Sequence, residues 1–156
     1  MAFLVMLLGF FAFLHLPPMS RLLVTTRDKA SVAMGFSFVV TGTMHFTSPE
    51  RFSPLMPPWL PWHLELIYIS GFFELLGAAG LFLRGTRRIA GLGLALLLIC
   101  VFPANVHLAL SGKVIEGLAS ERWYYWARLP LQIIFIVWAI YCSRVSSPYQ
   151  LPRRRR

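Results

Sequence analysis

The stretch LIYISGFFELLGAAGLFL, residues 66–83, contains one charged side chain, Glu74, in an otherwise uncharged and largely apolar run. A helix needs about 20 apolar residues to cross a hydrocarbon core roughly 30 Å thick. Four more stretches are apolar over similar or slightly shorter lengths: Met1–Leu16, Ala30–Phe46, Ile89–Leu110 and Ala127–Ser143. We therefore predict an all-α, polytopic membrane protein with a four-helix transmembrane bundle core and an additional N-terminal transmembrane helix.

The composition favours the same class. Of the 156 residues, 57% are hydrophobic and only 13% are charged, whereas a soluble domain uses about a quarter charged residues to cover its surface. The apolar residues come in blocks, which argues against a soluble bundle, a disordered tail and, despite a net charge of +9, nucleic-acid binding. The two cysteines, Cys100 and Cys142, form no CxxC pair, and we expect both to be buried as small hydrophobic residues.

The basic residues predict an orientation. Eleven of the fifteen Lys and Arg residues (three, three and five) fall in segments 17–29, 84–88 and 144–156, which alternate with the spans and so share one side. Because cytoplasmic loops retain positive charge, we expect the N-terminus outside and the C-terminus inside the membrane. The chain then divides into an N-terminal helical segment (1–20), a four-helix domain (30–143) and a basic cytoplasmic tail (144–156), which we expect to contact anionic lipid. The short 84–88 turn predicts an antiparallel hairpin of two spans.

The loops on the opposite side carry aromatic and proline residues. Trp59 and Trp62 stand in a proline-rich stretch, and 123–126 (WYYW) leads into the last span. Amphipathic rings favour the headgroup region, and consecutive prolines prevent a regular helix. We expect the segment Met56–Trp62 to lie along the outer interface as a cap.

Polar side chains recur at four-residue spacing in the outer halves of the predicted spans. The sets are Ser37, Thr41 and His45, then Ser70 and Glu74, then Arg128 and Gln132, with Asn105 just after Pro103. Residues four apart share a helix face. A charged side chain at this depth costs on the order of 2–3.5 kcal/mol unless it faces partners or water. We therefore expect Glu74 to face the bundle interior, with Arg128 as its first candidate partner and His45 as its second.

Two interpretations of these residues compete. In the first, they line a polar pocket that opens outward and binds a small molecule, such as a quinone headgroup or an acidic or sulfur-containing solute. Its candidate ligand-binding residues are His45, Ser70, Glu74, Asn105, Arg128 and Gln132. In the second, the same residues form a buried network that fixes helix register. The His and Glu spacings match no metal-ligand motif, so we predict no metal site, and nucleotide-binding and serine-hydrolase motifs are absent from the sequence.

Several short motifs occur in a fixed order across about two-thirds of the chain. They are GTMHFTSPERF (42–52), MPPWLP (56–61), SGFFELLG (70–77), TRRIAGLGL (86–94), VFPANV (101–106) and RLPLQ (128–132). In these motifs the chain resembles the DoxX-like (DoxX/DoxD-like) family of small bacterial integral membrane proteins. The resemblance implies a compact bundle of four core helices.

The resemblance also gives expectations about function. The branch that names the family looks like the membrane subunit of a thiosulfate:quinone oxidoreductase. We therefore expect a subunit or accessory of a quinone-linked or sulfur-linked redox system, with other membrane or redox subunits as partners and quinone as the candidate cofactor. Other relatives resemble membrane-protein assembly factors, so the alternative is a non-catalytic partner whose polar network is structural. No cofactor motif in the sequence supports the redox assignment, and no reaction or catalytic residue is assigned.

Overall fold

The computed structural model describes residues 2–17, 25–112 and 122–144. Its helices are α1 (Ala2–Phe13), α2 (Thr26–Thr47), α3 (His63–Phe82), α4 (Arg87–Ser111) and α5 (Arg122–Ser143), with short 3-10 turns at Pro49–Arg51 and Ser53–Leu55. The prediction of an all-α fold is confirmed for this part of the chain, which contains no strand. Each of the five helices contains or overlaps one predicted apolar stretch.

Three of the helices are long and apolar enough to cross a membrane: α3, α4 and the Trp123–Ser143 part of α5. This agrees with a membrane protein. Helix α1 is a shorter apolar helix. The first turn of α2 carries Arg27, Asp28 and Lys29, and its later turns carry the predicted polar stripe, so its composition is more polar than that of the three long apolar helices.

Local capping explains where α2 begins and where α4 ends. The backbone N–H of Asp28 donates to Thr25 Oγ1 at 3.0 Å, and the Thr25 hydroxyl also lies 3.0 Å from Asp28 Oδ2. This threonine therefore satisfies one of the free N–H groups in the first turn of α2. Helix α4 ends at Gly112, whose φ of 65° is left-handed, a conformation that glycine adopts without steric cost.

The helices pack as two closely associated pairs. α2 packs along α3, α4 packs along α5, the short 83–86 connection joins α3 to α4, and α1 lies against α2. Gly71 allows the close approach of the first pair, because a Cβ there would lie 2.5 Å from His45 Cβ and 3.1 Å from the Gly42 carbonyl oxygen. A central apolar core forms between the pairs, and its fully buried members include Leu7, Met34, Phe38, Leu81, Leu94 and Cys142.

A buried ion pair joins the start of α2 to the start of α4. Asp28 accepts hydrogen bonds from the buried Arg87 and, at 3.2 Å, from Arg84, whose side chain is 73% exposed. Burial by itself would raise the pKa of Asp28. Hydrogen bonds from Arg87 and Thr25 and the charges of both arginines outweigh it, so this pKa lies below its usual value. From the sequence we predicted only a role in membrane orientation for these two arginines.

One cysteine does not lie where the sequence predicts. Cys142 is buried in the central core, as expected, whereas Cys100 is exposed on α4. Cys100 follows Leu96 by four residues, and both side chains point away from the bundle, so the expectation that Cys100 is buried is wrong. The predictions that concern residues 18–24, 113–121 and 145–156, including the four-arginine tail, lie outside the described residues.

Candidate functional site

A cavity of about 360 Å³ lies between the helices, in the half of the bundle where α2 ends and α3 begins. All six residues that the sequence singles out line it: His45, Ser70, Glu74, Asn105, Arg128 and Gln132. These six side chains come from α2, α3, α4 and α5. The volume of the cavity falls within the usual range for small-molecule pockets, about 300–1,000 Å³. That these residues bind a ligand remains a prediction.

Most of the cavity wall is apolar, and irregular chain between α2 and α3 contributes to it. Phe52, Leu55 and Met56 line it from this segment, Arg51 joins them, and Phe3 and Met6 come from α1. The capping segment thus begins before the predicted Met56–Trp62 stretch. Within that stretch Trp59 and Trp62 are exposed.

Glu74 is held on one wall of the cavity by α2. The Thr41 hydroxyl donates to Glu74 Oε2 at 2.7 Å, and His45 Nε2 lies 3.7 Å from Glu74 Oε1. Thr41 and His45 are four residues apart, so one face of α2 presents both groups to the carboxyl group. The side chain of Glu74 is only 15% exposed, which makes these contacts its main polar environment.

The contacts of Nδ1, on the opposite edge of the His45 ring, indicate which ring nitrogen carries the hydrogen. His45 Nδ1 lies 2.9 Å from the Ile67 carbonyl oxygen and 3.1 Å from Ser70 Oγ. The Ser70 hydroxyl itself donates to the Ile67 carbonyl at 2.9 Å. Since a carbonyl oxygen only accepts, a hydrogen on Nδ1 satisfies this contact, and we assign the ring that tautomer. The neutral ring therefore presents the lone pair of Nε2 to Glu74.

That tautomer has a consequence for the pair formed by His45 and Glu74. A lone pair on Nε2 and an ionised carboxylate are both acceptors and do not attract each other. Attraction requires one further proton, on either Glu74 or Nε2, and in both arrangements the pair as a whole is neutral. The ring of Phe52 stacks on His45 with centroids 3.8 Å apart, so the capping segment covers this proton site.

A chain of hydrogen bonds forms the second polar wall. Arg128 Nη2 donates to Asn105 Oδ1 at 3.1 Å, the Asn105 amide donates to Gln132 Oε1, and Gln132 Nε2 donates to the Leu98 carbonyl oxygen at 2.7 Å. These hydrogen bonds run between α5 and α4, and the last acceptor belongs to the backbone of α4.

The structure differs from the sequence in the partner of Glu74. The expected pair with Arg128 does not form, since no carboxylate oxygen in the described chain lies within 4.0 Å of Arg128. The reason is the packing: α3 lies along α2, so Glu74 meets Thr41 and His45, whereas α5 lies along α4, so Arg128 meets Asn105. His45, the second candidate, is the ionisable neighbour that Glu74 has.

Thr41, Arg51 and Phe52 also contribute to the site and were not among the predicted ligand residues. Thr41 was part of the polar stripe, and its spacing of four from His45 was the available signal. Arg51 and Phe52 lie in the segment of short 3-10 turns between α2 and α3, where no periodicity indicates a direction. His63, expected at the interface, is not a lining residue and instead contacts the Pro57 carbonyl through Nε2 at 3.0 Å. No group of three His, Cys, Asp or Glu side chains converges as a metal site among the described residues.

These features define an all-helical protein with membrane-type apolar helices and an internal, polar-walled cavity. Residues 34–143 match the family described as a domain of unknown function, DUF8561, and this match covers more than half of the chain. The chain belongs to that family. The matched region runs from α2 to the last residue of α5 and contains all six predicted ligand residues. Comparisons with curated proteins and with solved structures gave no match.

Proposed function

We propose that this chain is a DoxX-like protein of the bacterial inner membrane that binds a small molecule in its cavity. In this proposal it serves a quinone-linked or sulfur-linked redox system as a subunit or accessory. The supporting observation is that polar side chains from four helices line one cavity whose other walls are apolar. A few placed polar groups within an apolar enclosure are typical of ligand pockets.

The proposed topology follows from the same helices. Helices α2 to α5 form the four-span core, and α1 supplies the additional N-terminal span. The N-terminus lies outside and the C-terminus lies in the cytoplasm, because this orientation keeps the basic 84–88 loop inside. The cavity then opens toward the periplasmic side, beneath the segment that contains Phe52 and Met56.

The two polar walls support different roles in ligand binding. Arg128 offers N–H groups to an anionic or carbonyl oxygen. His45 and Glu74 both line the cavity, so either side chain could exchange a proton with a second ligand oxygen, as general acid–base groups do. Asn105 and Gln132 orient the arginine. A ring with oxygens at its two ends, such as a quinone headgroup, fits this division.

Filling the cavity tests the proposal. Ala104 lines the cavity, so Ala104→Phe should reduce quinone affinity by about tenfold or more, equivalent to about 1.4 kcal/mol. Ala79→Phe is the matched control, because Ala79 is exposed on the outer face of α3. Full-length protein in detergent would be titrated with the quinone menadione and with thiosulfate, using empty micelles as the blank. Absence of saturable binding of both probes to the unaltered protein would refute the proposal.

A structural role for the network is the alternative, and the hydrogen-bond chain from Arg128 to Leu98 favours it because each amide has a protein partner. In that case the protein acts as a non-catalytic membrane-protein partner or assembly factor. Ala104→Phe would then leave association with co-purified subunits unchanged, and no quinone or sulfur compound would be extracted from the purified protein. Mass spectrometry of an organic extract distinguishes the two functions.

A further inference from the structure

The charges that face the cavity do not cancel. Helices α1 and α4 contribute no charged lining residue, α2 contributes His45, α3 contributes Glu74, α5 contributes Arg128, and the capping segment contributes Arg51. Glu74 is the one acidic lining residue in the described chain and carries at most one negative charge, which the two arginines exceed. The remaining charged lining residues are both arginines, so the described cavity wall carries a net positive charge.

Arg128 is the more consequential of the two arginines. It is half-buried, and its hydrogen-bonding partner in the described chain is the neutral Asn105 side chain. A guanidinium withdrawn from water without a counter-charge is destabilised, and it recovers that energy when an anion with two oxygens meets its planar donors. Arg51 is exposed, so solvent screens its charge more strongly and it acts at the cavity mouth.

The aromatic part of the cavity wall restricts which chemical group can carry the ligand's negative charge. Phe38 and Phe135 face the cavity from opposite helix pairs, and Phe52 covers it from the capping segment. Aromatic walls favour flat apolar groups. A strongly hydrated inorganic anion would lose its water against these rings without compensation.

We infer that the cavity selects an amphipathic monoanion, a flat apolar body bearing one carboxylate or enolate that pairs with Arg128. This inference rests on the proposed ligand-binding function and gives the charge class of the ligand. It separates ionised quinone-like or aromatic acids from neutral quinones and from inorganic oxyanions. Asn105 is then a positioning residue, since it holds the guanidinium through Oδ1 and does not itself supply charge.

Two naphthoquinones of nearly equal size test the inference on the unaltered protein. Menadione carries a methyl group and is neutral, whereas lawsone carries an enol that is ionised at neutral pH. Titration calorimetry in detergent, corrected with empty micelles, should show lawsone binding about tenfold more tightly or better, as expected for a charge-assisted pair. Equal affinities, or tighter binding of menadione, would overturn the inference and leave the proposed function intact. If neither compound binds, the inference fails, and the thiosulfate titration then decides the proposed function.

Substitutions of the arginine provide a second arm. Arg128→Gln keeps a donor toward Asn105 but removes the charge, so it should abolish the preference for lawsone while menadione affinity changes by less than about threefold. Arg128→Lys should retain most of the preference. Arg84→Gln makes the same substitution at an exposed arginine at the other end of the bundle, and it should leave the preference as in the unaltered protein. A preference that survives Arg128→Gln would assign the selectivity to another group.

Discussion

His45 Nε2 faces Glu74 Oε1 at 3.7 Å, and with Nδ1 protonated toward the Ile67 carbonyl the two side chains attract each other only when one further proton makes them a neutral pair. This relationship joins α2 to α3 inside a cavity that a membrane protein would otherwise have to line with apolar groups. It also makes the hydrogen-bonding capacity of residue 74 more important for folding than its charge.

Glu74→Gln should therefore leave the protein folded. The glutamine oxygen accepts from Thr41, and its amide donates to the free Nε2 of His45, so both contacts persist. Glu74→Leu removes both contacts and should lower the free energy of unfolding by about 1–3 kcal/mol. Thermal unfolding in detergent, followed by tryptophan fluorescence, measures both variants. Equal destabilisation by the two substitutions would place the proton on His45 Nε2, opposite an ionised Glu74, and contradict the expected tolerance of glutamine.

Close packing at Gly71 sets the distance between Glu74 and His45. Gly71→Ala should therefore disturb the helix packing and the contact between these two side chains. The added Cβ would lie 2.5 Å from His45 Cβ, and overpacking of this kind costs about 1–3 kcal/mol. We expect a lower unfolding temperature and weaker ligand binding by the same protein sample.

Gly93→Ala is the matched control for Gly71→Ala, because nothing lies within 4 Å of the position of its Cβ. There the gain in helix propensity, up to about 1 kcal/mol, is not opposed by a clash. If the two alanine variants behaved alike, the helices would not be as closely apposed at Gly71 as the structure describes.

The sequence predicted the membrane-type helices and the members of the cavity wall for two separate reasons. Apolar blocks of sufficient length can be recognised without tertiary information. The cost of a polar group in hydrocarbon then requires Glu74, Asn105 and Gln132 to face the interior, and the four-residue spacing places their neighbours on the same faces. Convergence in one cavity follows from these two constraints.

The pairing within the wall could not be predicted in the same way. Whether Glu74 meets Arg128 or His45 depends on which helices lie closest, and depth along the membrane does not determine that. Arg51 ends one 3-10 turn and Phe52 lies between that turn and the next, so the directions of their side chains follow from the folded loop. The burial of Asp28 with Arg87 was missed for a related reason, since a basic loop was explained by orientation alone.

Gln132→Leu should destabilise the protein by about 1–3 kcal/mol even though it places an apolar residue in an apolar helix. The substitution removes the donor to the Leu98 carbonyl and the acceptor of the Asn105 amide. Ile133→Leu, at the adjacent exposed position, keeps volume and polarity and should change little. Chemical or thermal unfolding in the same detergent compares them. A Gln132→Leu protein as stable as the unaltered one would mean that water satisfies both groups.

Acid should weaken the bundle through Asp28. The folded-state pKa of Asp28 lies below the usual value of 3.8, so its contribution to stability is present above about pH 4 and is lost as the pH falls through the folded-state pKa. Asp28→Asn should reduce stability at pH 7 and remove this part of the acid dependence. Glu65→Gln, at an exposed acid in the first turn of α3, should retain it. The measurement is the difference in unfolding temperature between the unaltered protein and Asp28→Asn, from pH 7 to about pH 3. This difference should narrow on acidification. A difference that stays constant would contradict the ion pair with Arg87.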